Sequence, residues 1–249
     1  MIEVSRLCAG YPGRDVLQDV SLTFPTGQLT AVVGPNGCGK STLLKAVCGI
    51  LTPTAGEVRL DGVPFRDLPH PARCLAYLPQ HRPTPDITAE RLVLHGRFPY
   101  LSYPRRYGRR DLELARAALE KMGLTEVARA PVASLSGGVR QKVYLAMILA
   151  QDTPAVLLDE PTTYLDAAHQ LQTMAHARAL CAAGKTVVTV LHDLPLALRL
   201  SDRLAVLSGG RAVRAGTPEE VFQGGLLDRV FGVAVRRVET PGGWQYYYE

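Results

Sequence analysis

Two segments near the start of the chain, IEVSRLCAGY (2–11) and VLQDVSLTF (16–24), alternate apolar and polar positions and predict half-buried strands. The apolar runs that follow do not alternate. LTAVVG (29–34), CLAYLPQ (74–80), AVLLDE (155–160) and TVVTVLHD (186–193) are short, and each ends in glycine or in polar residues. Such runs, bounded by helical segments, predict parallel strands covered on both faces. KSTLLKAVCGI (40–50) predicts a buried helix stopped near Gly49. From 88 to 150 the rhythm changes: three helices are predicted, near 88–96, 109–122 and 137–150, with no strand among them. The loop between the first two, GRFPYLSYPRRYGRR (96–110), is rich in Pro, Arg and aromatic residues. The pattern is that of an α/β core with antiparallel β elements at its start and a helical insertion. The final GGWQYYYE (242–249) predicts a closing strand of a small C-terminal element.

Composition narrows this picture without redirecting it. Hydrophobic residues are 47% of the 249 and charged residues 20%, an ordinary globular mixture that excludes disordered, collagen-like and coiled-coil chains. The 28 Lys and Arg exceed the 23 acidic residues by a scattered formal +5, too mild to point to nucleic acid. VYLAMILA (143–150), among the longest apolar stretches, falls far short of the roughly 20 residues that span a bilayer. The opening MIEVSRL reads as a strand, not a leader. Cys8, Cys38, Cys48, Cys74 and Cys181 form no CxxC pair, which predicts free thiols rather than a zinc site or a disulfide framework. A soluble, intracellular protein is expected.

The chemistry begins at GPNGCGKS (34–41), an unbroken G-x-x-x-x-G-K-[ST] match between a predicted strand and a predicted helix. Gly34, Gly37 and Gly39, with Pro35 and Asn36 between them, let the backbone turn its N–H groups inward as a concave anion site. The following helix adds its positive end. Lys40 reaches β- and γ-phosphates, and the Ser41 hydroxyl, with Thr42 beside it, takes a Mg²⁺ position. The segment predicts a nucleoside triphosphate site in a P-loop NTPase (RecA-like) core. Cys38 reads as a small side chain filling a tolerant position in that loop.

Open parallel sheets bind ligands at the carboxyl ends of their strands. That edge gathers Gln80 after LAYLP, Asp159 and Glu160 after AVLL, and His192 after TVVTVL. Asp159 has the context of a Mg²⁺-holding carboxylate. Glu160, next to it, is suited to polarise an attacking water as general base. Gln80 could ligate Mg²⁺ or orient the water, and His192 could hold the γ-phosphate or the transition state.

LSGGVRQK (135–142) opens another helix with Ser136 as N-cap and Gly137 and Gly138 exposing the first N–H groups. A second anion-ready terminus, in a chain with a complete phosphate loop, suggests nucleotide held by another copy. The order of these segments resembles that of the ATP-binding cassette ATPases: phosphate loop (34–42), LSGG (135–138), AVLLDE (155–160) and His192. The resemblance covers essentially residues 1–225. It implies that Ser136 and Gly138 touch the γ-phosphate in the opposite subunit, that Gln80 is the Q-loop glutamine, and that His192 is the switch histidine. It further implies that Asp166, in TTYLD, crosses the dimer interface and that Tyr11 stacks on adenine. The usual fifth signature residue, Gln or Glu, is Val139 here, which implies altered tuning rather than lost activity.

GRFPYL (96–101) and PTTYLDAAHQLQ (161–172) are similar to the ATPases of iron-chelate importers, with the TTYLD wording nearest the ferric-siderophore branch and haem and cobalamin importers as near relatives. This resemblance implies a homodimer on the cytoplasmic face of a membrane, acting with permease subunits and, indirectly, an external substrate-binding protein. The alternative is a soluble ATPase of the same family acting in iron–sulfur cluster assembly or another non-transport role. The expected organisation is a nucleotide-binding core over 1–82 and 154–225, a helical subdomain over 83–153, and a C-terminal element over 226–249.

Overall fold

A computed structural model describes residues 1–163 and 165–249; Tyr164, in the TTYLD segment, lies outside the described residues. The elements in chain order are β1 (Ile2–Tyr11), β2 (Arg14–Phe24), β3 (Leu29–Val33), α1 (Lys40–Val47), β4 (Ala55–Leu60), β5 (Val63–Pro64), α2 (Pro71–Cys74) and β6 (Leu75–Leu78). Next come α3 (Ala89–His95), α4 (Arg109–Lys121), α5 (Gly137–Gln151), β7 (Ala155–Asp159), α6 (Ala167–Ala182), β8 (Thr186–Val190) and α7 (Leu194–Leu200). The chain closes with β9 (Arg203–Ser208), β10 (Arg211–Gly216), α8 (Pro218–Phe222), α9 (Leu226–Phe231), β11 (Val235–Thr240) and β12 (Gly243–Tyr248).

The runs that lack alternation form the middle of one six-stranded sheet, ordered β10-β9-β3-β8-β7-β6. Strands β9, β3, β8, β7 and β6 are mutually parallel, and β10 is the antiparallel edge. Every residue of β3, β7 and β8 is buried. Both faces are covered, which is why these strands read as unbroken apolar runs. On one face Leu29, Ala31 and Val33 of β3 pack into a core with helices α3 to α7. On the other, Val32 joins Leu157, Val188 and Val190 under α1 and the strands β1, β2 and β4. Those N-terminal strands form a separate antiparallel sheet, β2-β1-β4-β5.

Helix α1 stops at Val47 and β6 begins at Leu75, one residue after α2 ends. Gly49 has φ +73, a backbone that cannot continue a helix. The strands β4, β9 and β10 escape the apolar-run reading. In β4, AGEVRL, the partly buried Glu57 and Arg59 alternate with buried Val58 and Leu60; β10, RAVRAG, is exposed over most of its length. GGWQYYYE closes a two-stranded hairpin with β11 rather than joining a larger sheet. The hairpin is fastened by Tyr246 edge-on to Phe222, by Arg199 to Gln245 at 3.1 Å, and by the Val235 N–H to Asp228 at 3.0 Å. Among the described residues no helix is long and apolar enough to cross a membrane.

Candidate nucleotide-hydrolysis site

Register decides which side chains meet. Val32 of β3 stands level with Val190 of β8, and Val190 with Asp159 of β7. Leu78 of β6 stands level with Leu158. One or two residues beyond these partners, the chain delivers Gly34, His192, Glu160 and Gln80 to one sheet edge. A cleft of about 330 Å³ opens there, lined by Tyr11, Asn36, Gly37, Gly39, Lys40, Ser41, Thr42, Gln80, Glu160 and His192. Arg14 and Val16 line it too, and sequence reasoning missed both.

The loop 34–41 wraps tightly. A Cβ on Gly34 would stand 2.1 Å from the Leu207 carbonyl oxygen, and Gly34 has φ +155. Gly39, with φ +107, caps α1 without a side chain, so no side-chain acceptor covers the helix N–H groups. Lys40 is buried and donates to the Gly34 carbonyl at 2.7 Å and the Pro35 carbonyl at 3.0 Å. These carbonyls hold the ammonium over the loop's concave side. Burial pushes the Cys38 thiol up, with Lys40 opposing, so Cys38 is a packed thiol rather than a thiolate.

Two carboxylates sit side by side with different partners. Asp159 accepts from the Ser41 hydroxyl at 3.0 Å and from the Tyr77 hydroxyl at 3.1 Å. Burial raises the Asp159 carboxyl above its usual range, against those two hydrogen bonds and with a smaller push from the charge of Glu160. Glu160 is almost fully buried and has φ +51, rare for a residue with a side chain. Gln80 Nε2 donates to its Oε2, Thr163 donates to the same oxygen at 3.1 Å, and His192 Nε2 contacts its Oε1. Tyr77 and Thr163 carry no sequence signal. Only the fold places them on the carboxylates.

Tyr11 lines the cleft half-exposed, with the Lys45 ammonium 5.9 Å from its ring centroid. Ser136, Gly137 and Gly138 do not line this cleft. Ser136 caps α5 by accepting from the Val139 N–H at 3.4 Å, and Ser136 and Gly137 are exposed. Val139 packs partly buried against the helical core. Asp166 caps α6, accepting from the His169 N–H at 2.8 Å and contacting its ring Nδ1. Those contacts, the backbone N–H first, hold its carboxyl below the usual range. The His169 ring lies against Gly138, so the two capped helix starts are neighbours.

The family model described as ABC transporter matches residues 17–163, more than half of the chain. The chain belongs to the ABC transporter family. It is therefore an ATP-binding cassette, and an ATPase. Curated relatives include the achromobactin transport ATP-binding protein CbrD of Dickeya dadantii, 40% identical over 239 residues, covering 94% of this chain and 89% of that one. The hemin import ATP-binding protein HmuV of Nocardia farcinica is 43% identical over 244 residues, covering 96% of this chain and 83% of that one. Among solved structures, an inward-facing ABC transporter described as of the metal-chelate type superposes with a TM-score of 0.86 at 25% identity, covering 100% of this chain and 96% of that one. The cassette's cleft, phosphate loop and paired carboxylates thus belong to a family whose shared business is ATP.

Proposed function

We propose that this cassette energises import of an iron chelate, a siderophore or haem, through membrane permease subunits, and that it works as a nucleotide-sandwich homodimer. The single observation that carries the catalytic part is the convergence of Gln80, Thr163 and His192 on Glu160 beside the phosphate loop. Tyr11 stacks on the adenine, and residues Gly34 to Thr42 cradle the phosphates, with Lys40 swinging from its loop carbonyls to the β- and γ-oxygens. Glu160 is the general base, oriented by Gln80 and His192. Ser136, Gly137 and Gly138, which do not line their own cleft, contact the nucleotide of a second copy, with Asp166 at that interface. In this reading residues 83–153 form the subdomain that carries the signature, inserted between the core segments 1–82 and 154–225, and 226–249 is a C-terminal addition.

The donor set at Ser41 and Asp159 fits Mg²⁺. It is a hydroxyl and a carboxylate oxygen 3.0 Å apart, hard ligands of the kind the ion takes together with substrate phosphates. Asp159 is buried with its carboxyl raised, a penalty that a divalent cation would offset. Gln80, whose amide nitrogen is committed to Glu160, has its carbonyl oxygen left as a third ligand. When bound, the ion would neutralise charge on the β- and γ-phosphates. The names of the siderophore and hemin relatives support the iron-chelate class, and the absence of a membrane-crossing helix among the described residues fits a peripheral subunit at the cytoplasmic face with an external binding protein supplying specificity.

The chemistry is tested by Glu160→Gln, which should retain ATP binding and slow hydrolysis by about 10²-fold. Near-normal turnover would remove Glu160 from the role of base. The job is tested in proteoliposomes holding the cassette and its cognate permease, with ferric siderophore or haem on loaded binding protein outside. ATP-dependent uptake of one of them is expected. Outward movement, or uptake of neither with hydrolysis intact, would refute the importer reading and leave the ATPase standing.

A further inference from the structure

Helix α5 holds, on one face, the loop after Gln80 and the loop after Glu160. Gln141 is buried, and its Nε2 donates to the Pro161 carbonyl at 2.7 Å. Pro161 directly follows Glu160, whose φ of +51 is unusual twice over. A side chain disfavours that region, and a residue before proline is ordinarily extended. Such a conformation persists where its surroundings over-determine it. Pro161 is fixed on its N-terminal side by its ring and at its carbonyl by Gln141.

Three residues along the same helix, hence on the same face, Tyr144 does the equivalent for the other loop. Its buried hydroxyl donates to the Pro83 carbonyl, and the Arg82 guanidinium stacks 5.1 Å from its ring centroid. Arg82 Nη1 is buried with no hydrogen-bond partner among the described residues, so the ring is what holds the guanidinium. Arg82 and Pro83 lie just past Gln80, and Gln80 donates to Glu160. A closed triangle results: α5 to the Gln80 loop, α5 to the Glu160 loop, and the two loops to each other. The N-terminus of α5 begins at Ser136 and Gly137, the capped start of the LSGG segment.

We propose that Gln141 and Tyr144 are positioning residues for hydrolysis, tying the aim of Glu160 and Gln80 to the placement of the signature helix in the same chain. The proposal rests on Glu160 acting as base. Removing the Gln141 donor leaves the buried Pro161 carbonyl unmet and loosens the turn that follows Glu160. Misplacing a reacting group by ~1 Å costs on the order of 10²-fold, so a slackened but still enclosed Glu160 should lose about 10-fold.

The test uses Gln141→Leu, Tyr144→Phe, the double variant and Glu160→Gln in parallel, measuring kcat, KM, equilibrium ATP binding and the thermal midpoint. Gln141→Leu is expected to lower kcat about 10-fold with KM and ATP affinity held within about twofold. Tyr144→Phe keeps the ring under Arg82 and removes only the bond to Pro83. It should lower kcat about threefold, and the double variant should lose less than the product of the two, because both act on one assembly. If Glu160→Gln is inactive while both single variants keep kcat within about twofold of the parent, the positioning role is overturned and the base survives. Proportionate losses of ATP affinity, kcat and thermal midpoint overturn it as well, since they mark a merely structural helix. An active Glu160→Gln variant overturns the base and the proposal with it. Should Gln141→Leu fail to fold, Tyr144→Phe decides by the same criteria.

Discussion

Arg97→Met should destabilise the cassette by about 3–4 kcal/mol while leaving nucleotide affinity unchanged, and the reasoning is entirely in the packing. Arg97 belongs to the GRFPYL segment, yet its side chain is 6% exposed and points inward. Its Nε pairs with Asp111 at 3.0 Å, its Nη1 donates to the carbonyls of Ala150 at 2.9 Å and Gln151 at 3.2 Å, and its guanidinium lies 3.8 Å from the Tyr100 ring centroid. One cation therefore fastens the end of α3, the start of α4 and the last carbonyls of α5. Methionine matches the stem and removes every donor. Asp111 keeps the Gly108 N–H at 2.9 Å but loses its counter-charge, and the two carbonyls at the α5 terminus lose their shared partner. Stranding one member of a buried ion pair costs about 3–5 kcal/mol, and the surviving Gly108 bond argues for the lower part of that range. For a chain of this length the thermal midpoint should fall by roughly 10 °C. Asp111→Asn on top of Arg97→Met removes the stranded charge while an amide can still accept from Gly108, and should recover about 1–2 kcal/mol. The assay is urea unfolding of parent, single and double variants, with ATP binding to the folded proteins. A cost below about 1 kcal/mol, or no recovery in the double variant, would show that Arg97 is not the fastening described.

Other outcomes follow from the same geometry. Gly34→Ala should abolish ATP binding, measured by equilibrium titration, because its Cβ would collide with the Leu207 carbonyl and Cys38 Sγ at 2.1 and 2.8 Å. Tyr11→Ala should weaken ATP about 10-fold whereas Tyr11→Phe should stay within about twofold, since a stacked face is what an aromatic ring offers a base. Trp244, the single tryptophan, lies under the Arg237 guanidinium, 4.0 Å away, and Arg237 is gripped by Glu219. The hydrogen bond from Arg237 first, and that from Gln223 second, hold Glu219 below the usual glutamate range, and the Val235 N–H and Arg236 do the same for Asp228. Both groups carry depressed values in the folded chain, so their contribution is present above the ordinary carboxylate range and is lost as pH falls through the depressed values. Trp244 fluorescence should accordingly change in that acid window, and Glu219→Gln should give the low-pH signal at neutral pH; an unchanged neutral spectrum would sever this link.

What the sequence determined by itself was whatever chemistry is contiguous. GPNGCGKS carries its turn, its glycines, its lysine and its helix start within one short segment, so the tight loop and the helix that follows it were legible there. The double burial of β3, β7 and β8 was likewise legible, because a strand covered on both faces must be apolar throughout. Edge strands such as β10 were not, since they are built from charged and small residues whose strand state depends on the neighbour they pair with. Gln80 and His192 were visible only as polar residues after apolar runs. It took the parallel register of β6, β7 and β8 to turn them onto one carboxylate. Tyr77 on Asp159, Thr163 on Glu160, Gln141 on Pro161 and Arg97 on the α5 carbonyls left no trace in the sequence. Each of them, apart from the local Thr163 turn, is a hydrogen bond between residues far apart along the chain. Such a bond has no periodicity or spacing to announce it, and exists because burial favours pairing a polar group with whichever partner the packed helices and strands bring within reach.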